Sequence, residues 1–178
     1  MQGNSPDKTT ILLHWLLAVS ILFLFASSWW MLALPLPSDE FTYRVLPFQL
    51  HKNIGISLLV LLVILFTGSV NAKNEKVLKQ LGWVQKLALL DHFVLYLLIV
   101  LTCLSGYMSS SYSGWDTSFW WLIDLPAWSE ENEALNILFS DIHMWTCWLL
   151  LAVIAVHTGA ALYHAFLNDD IIERMFRL

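Results

Sequence analysis

Four stretches of this chain, near 10–33, 50–70, 86–109 and 142–166, are apolar over about 20 residues or more, the length of helix that crosses the hydrocarbon core of a bilayer. Hydrocarbon offers backbone groups no hydrogen-bond partners, so such stretches satisfy themselves as α-helices. Four of them joined by short connections make an all-α, up-down-up-down membrane bundle, with 1–178 as a single domain. Composition agrees. The 178 residues are 58% hydrophobic with mean hydropathy +0.64, whereas soluble domains are roughly half apolar. The first stretch does not read as a cleaved leader, since it is too long, contains His14 and has no small-x-small site after it.

The charges orient the spans. Lys8, Lys73, Lys76, Lys79, Lys86, Arg174 and Arg177 flank one side of the four-span arrangement, and only Arg44 and Lys52 flank the other. The positive-inside rule then places both termini and the 71–85 loop in the cytoplasm. A net charge of −5 argues against nucleic acid as a partner. Cys103 and Cys147 fall within spans and read as small core residues. The segment LPLPSDEFTYRVLP reads as a Pro-punctuated turn. The outer loop at 110–140 carries Asp116, Asp124, Glu130, Glu131 and Glu133 with no Lys or Arg. Its Trp115, Trp120, Trp121 and Trp128, with Trp29 and Trp30 at the same level, suit an interfacial aromatic belt.

The segment DIHMWTCWLLLAVIAVHTGAALYH poses the functional question, because three histidines sit on one apolar helix. Ionisable residues within a span are costly and usually functional. The 14 positions from His143 to His157 accumulate about 1400°, some 40° short of four turns, so the two share a face about 21 Å apart along the axis. His164 follows on the same face. By depth, His51 lies level with His143 at the outer end. His14, His92, His157 and His164 form an inner set.

Histidines facing each other across a bundle core at two depths suit two b-type haems, bound without covalent attachment because no C-x-x-C-H occurs. A porphyrin needs lateral room. Four residues after His14, His51, His143 and His157 stand the small Ala18, Gly55, Cys147 and Ala161, but Tyr96 follows His92. This favours His14 with His157 as the inner pair. A lone membrane histidine commonly serves as a helix contact, and a haem-free metal or proton pathway is the sharper rival. Such pathways usually add buried carboxylates, and the nearest here, Asp91 and Asp141, read as span-end residues.

The segments ILLHWLLA, QLHKNIGISLLVLLVILF, DHFVLYLLIVLTCLSGYM and IHMWTCWLLLAVIAVHTGAALYH together resemble the bacterial (prokaryotic) cytochrome b561 family, which includes an inner-membrane superoxide oxidase. The resemblance covers almost the whole chain. It implies a four-helix membrane bundle with two haem b groups, the cytoplasmic-side one held by His14 and His157 and the periplasmic-side one by His51 and His143. It also implies that His92 and His164 lie near a quinone site, with ubiquinone or another quinone as substrate.

The expectation is a multi-pass protein of the bacterial inner membrane, surrounded by lipid, that moves electrons between the periplasmic face and the quinone pool. A homodimer is one assembly it allows. Superoxide:ubiquinone oxidoreductase is a second reading. Lys52 and Arg44 suit an anion, while the acidic outer loop favours a cationic redox partner. A haem-bearing anchor for a dehydrogenase and a haem-free metal or proton transporter are further alternatives.

Overall fold

Each apolar stretch becomes a helix longer than its hydrophobic window. The computed structural model describes residues 8–35, 45–71, 82–115, 117–127 and 129–167. In chain order, it contains α1 (Lys8–Ala33), α2 (Val45–Asn71), α3 (Trp83–Tyr112), β1 (Thr117–Phe119), β2 (Ile123–Leu125) and α4 (Glu133–Phe166). All four helices are long and apolar enough to cross a membrane. Arg44, Lys73, Lys76, Lys79, Asp116, Trp128, Arg174 and Arg177 lie outside the described residues.

The extra length has local causes. α2 starts five residues before the expected 50, and its Pro47 falls in the first turn, where a backbone N–H has no intrahelical partner to lose. α4 starts nine residues before the expected 142. There the Asn132 side chain accepts the Leu135 N–H at 3.0 Å, and Glu133 complements the positive end of the helix dipole. The apolar window detects the part of a helix that sits in hydrocarbon, whereas caps and polar first turns carry the helix into the interface.

α3 and α4 pack most extensively, and α2 packs against both α1 and α3. Leu17, Ile21, Leu58, Leu62, Leu98, Ile99 and Leu150 form one buried cluster contributed by all four helices. Most other large apolar side chains face outward, among them Leu16, Val60, Phe93 and Leu149. In water such an exterior would be an association hazard. Against lipid tails it is matched to its surroundings.

The outer loop contains a feature that composition did not suggest. β1 and β2 pair antiparallel, Thr117 with Leu125 and Phe119 with Ile123. Trp120 and Trp121, at the turn, have φ of 49° and 58°, a left-handed conformation costing roughly 1–2 kcal/mol per non-glycine residue. Asn53 and Ser57 of α2 hold that turn in place. Trp120 donates its backbone N–H to Asn53 Oδ1 (3.1 Å) and its indole N–H to Ser57 Oγ (3.1 Å). Lys52 donates to Thr117 Oγ1 at 3.3 Å, which ties the first strand to the same helix. The hairpin therefore marks one end of the bundle, called here the hairpin end. The opposite end, where α1 begins, is the terminal end.

Candidate functional site

The bundle brings four of the six histidines into two cross-helix pairs. At the hairpin end, His51 of α2 faces His143 of α4, with ring centroids 6.3 Å apart and planes at 76°. At the terminal end, His14 of α1 faces His157 of α4, also at 6.3 Å, with planes at 49°. His92 of α3 joins the second group, its ring 5.1 Å from that of His157 and nearly perpendicular to it. His164 has its ring against Tyr163.

The spacing discriminates between partners. At metal–imidazole distances of about 2.0–2.1 Å, two nitrogens on opposite sides of one ion stand about 4 Å apart, which puts the ring centroids roughly 6 Å apart. Both cross-helix pairs have that separation. The His92–His157 pair is too close for it.

The surroundings also fit a bulky group between the rings. Neither α1 and α4 nor α2 and α4 pack closely along their backbones among the described residues, although these are the helices that the pairs join. A Cβ added at Gly55, one turn from His51, would meet no atom within 4 Å. His51 Nδ1 is buried without a hydrogen-bond partner.

Hydrogen bonds assign the tautomers on α4. His143 donates Nδ1–H to the Thr102 carbonyl at 2.8 Å, and His157 donates Nδ1–H to Asp91 Oδ2 at 2.6 Å. A ring with its proton fixed on Nδ1 carries its lone pair on Nε2, where it could bind a metal ion. Cys147, the small neighbour one turn along, has its Sγ 3.7 Å from His143 Nε2. The Thr102 contact depends on Gly106. A Cβ there would lie 2.9 Å from His143 Nδ1 and 3.0 Å from Cε1, so only glycine lets α3 and the imidazole approach this closely.

Two site residues were not legible in advance. Asp91 read as a span-end carboxylate, yet it reaches across from α3 to the terminal-end pair, and its ligand atom lies within 4.8 Å of those of His92 and His157. Gly106 carried a fainter signal, since a glycine inside a helix costs about 1 kcal/mol relative to alanine and therefore usually has a packing reason.

A four-helix membrane bundle that brings histidine side chains into facing cross-helix pairs at two depths defines the class of protein. Within that class, the chain belongs to the prokaryotic cytochrome b561 family, whose model matches residues 6–178. It is similar to cytochrome b561 homolog 2 of Escherichia coli (strain K12), with 30% identity over 177 residues covering 97% of this chain and 93% of that protein. Cytochrome b561 homolog 1 of the same organism is 27% identical over 172 residues, covering 94% of this chain and 93% of that protein. The chain is thus a multi-pass bacterial membrane protein of a haem b electron-transfer family.

Proposed function

We propose that this chain binds two haem b groups and carries electrons between the quinone pool and the periplasmic face of the inner membrane. The observation that carries the proposal is the pair of 6.3 Å imidazole separations at opposite ends of the bundle. His14 and His157 would hold the terminal-end haem, and His51 and His143 the hairpin-end one. The charge distribution of the sequence supports a cytoplasmic terminal end, with both termini inside.

Bound haem supplies one-electron redox chemistry at iron. The polypeptide contributes position, tautomer and proton handling. His143 and His157 keep Nδ1 protonated through fixed acceptors, so neither imidazole has to reorganise as an electron arrives. His92 donates Nδ1–H to the Ala88 carbonyl at 2.7 Å, which leaves Nε2 to accept a proton from a quinol hydroxyl. Its side chain is 39% exposed on the bundle flank, within reach of a molecule dissolved in lipid. His164 would lie near the same substrate, as the family resemblance implies.

The hairpin end presents Asp124, Glu130, Glu131 and Glu133 on its surface. That charge favours a cationic redox partner over an anion such as superoxide. A metal or proton pathway is the second reading, favoured by the mutual proximity of Asp91, His92 and His157.

The test is electron transfer by the purified chain in quinol-loaded liposomes. The expected result is chain-dependent reduction of an external cationic acceptor, faster than that of an anionic one and slowed by added salt. Absence of chain-dependent transfer, in protein carrying its haems, would contradict the proposal. Quinone reduction driven by external superoxide would instead favour the superoxide:quinone oxidoreductase. A stably co-purifying dehydrogenase subunit would favour the anchor.

A further inference from the structure

Of the four imidazoles proposed as ligands, His157 and His143 each donate Nδ1–H to a fixed acceptor, and the acceptors differ. His157 bonds a carboxylate and His143 bonds a backbone carbonyl. The carboxylate is Asp91, donated by α3, a helix that carries none of the four. At 2.6 Å, its contact with His157 has the length of a charge-assisted hydrogen bond. The Asp91 and His157 side chains are 23% and 26% exposed, within a bundle whose exterior is apolar. A charge in such surroundings acts more strongly than it would in water.

We propose that Asp91 sets the redox order of the two haem positions, holding the terminal-end one at the lower potential. This rests on the reading that His14 and His157 hold a haem. A carboxylate that accepts Nδ1–H draws the imidazole toward imidazolate and makes Nε2 a stronger electron donor to the iron. A more basic ligand favours the oxidised ion, which carries the greater positive charge. The negative charge of Asp91 close to the site acts with the same sign. At His143, the Thr102 carbonyl offers a dipole in place of a full charge, so both effects are weaker at the hairpin end. The gradient runs downhill from the quinol side toward the hairpin surface.

Asp91 acts through His157 and is a positioning residue. Its own effect is read from equilibrium redox titration followed in the haem α-bands of the full-length, detergent-purified chain. A His143→Ala chain, which leaves only the terminal-end haem, assigns the steps. The unsubstituted chain should titrate in two separated steps, the lower belonging to the terminal end. Asp91→Asn keeps an amide oxygen as acceptor but removes the charge. It should retain both haems and raise the reduction equilibrium constant of the lower step tenfold or more, about 59 mV for one electron, with the upper step within threefold of its original value. Asp91→Glu, which restores a carboxylate, should move the lower step back.

Two haems in Asp91→Asn with neither step displaced would overturn the proposal. So would loss of the terminal-end haem in both Asp91→Asn and Asp91→Glu, which would make Asp91 a packing residue. Fewer than two haems in the unsubstituted chain would overturn the dihaem reading itself, a failure visible before any substitution.

Discussion

Replacing His143 with alanine should leave one haem where the unsubstituted chain holds two, with the survivor keeping the spectrum of the terminal-end site. His143 and His157 share a helix face but stand about 21 Å apart along it, and each faces a partner from a different helix, His51 on α2 and His14 on α1. Neither pair needs the other in order to close around its group. Gly106→Ala tests the same site without touching a ligand. The added methyl group would crowd the His143 ring at 2.9 Å and displace it from the Thr102 carbonyl. Alanine in a helix interior is otherwise worth about 0.5–1 kcal/mol over glycine, so the helix itself gains. Selective loss of the hairpin-end haem from folded protein is the expected outcome, read by pyridine haemochrome content. Equal loss of both haems in His143→Ala would contradict separate sites.

The second large effect falls on quinol oxidation. A His92→Phe chain should retain two haems, accept electrons fully from dithionite, and be reduced by a quinol about 10²-fold or more slowly, the usual range for loss of a general base. Phenylalanine preserves the edge-on packing that His92 makes with His157 and Tyr96 but offers no lone pair to a hydroxyl proton. Stopped-flow reduction with a soluble ubiquinol analogue reads the rate. Loss of a haem from this variant would make His92 a ligand and overturn the His14–His157 pairing. An unchanged rate would remove His92 from proton transfer.

The two pairs and their depths were legible in the sequence because helix geometry converts spacing into position. His143 and His157 lie on one face by rotation alone, and of the four small residues expected to leave room, Ala18, Gly55, Cys147 and Ala161, Gly55 has open space beside it while Cys147 lies 3.7 Å from His143 Nε2. Roles that a helix's neighbours decide leave no mark along its own sequence. Asp91 appeared as a carboxylate near a span end, and nothing along α3 reveals that α4 places an imidazole 2.6 Å from it. The Thr102 acceptor is a backbone carbonyl, so its side chain gives no sign of the role. The hairpin at 117–125 was hidden for a different reason. Its turn places two tryptophans in a left-handed conformation that turn chemistry assigns to Gly, Asn or Asp. Hydrogen bonds from Trp120 to Asn53 and Ser57, residues more than sixty positions away, compensate for that local preference. Helix ends were the remaining difference, since caps such as Asn132 act beyond the apolar window.

The measurement that bears most directly on the account is haem content per chain, by pyridine haemochrome together with a dithionite-reduced minus oxidised spectrum, on detergent-purified protein expressed with haem available. About two b-type haems with the α-bands of bis-imidazole iron are expected. Folded protein without haem would contradict this and return Asp91, His92 and His157 to a metal or proton pathway.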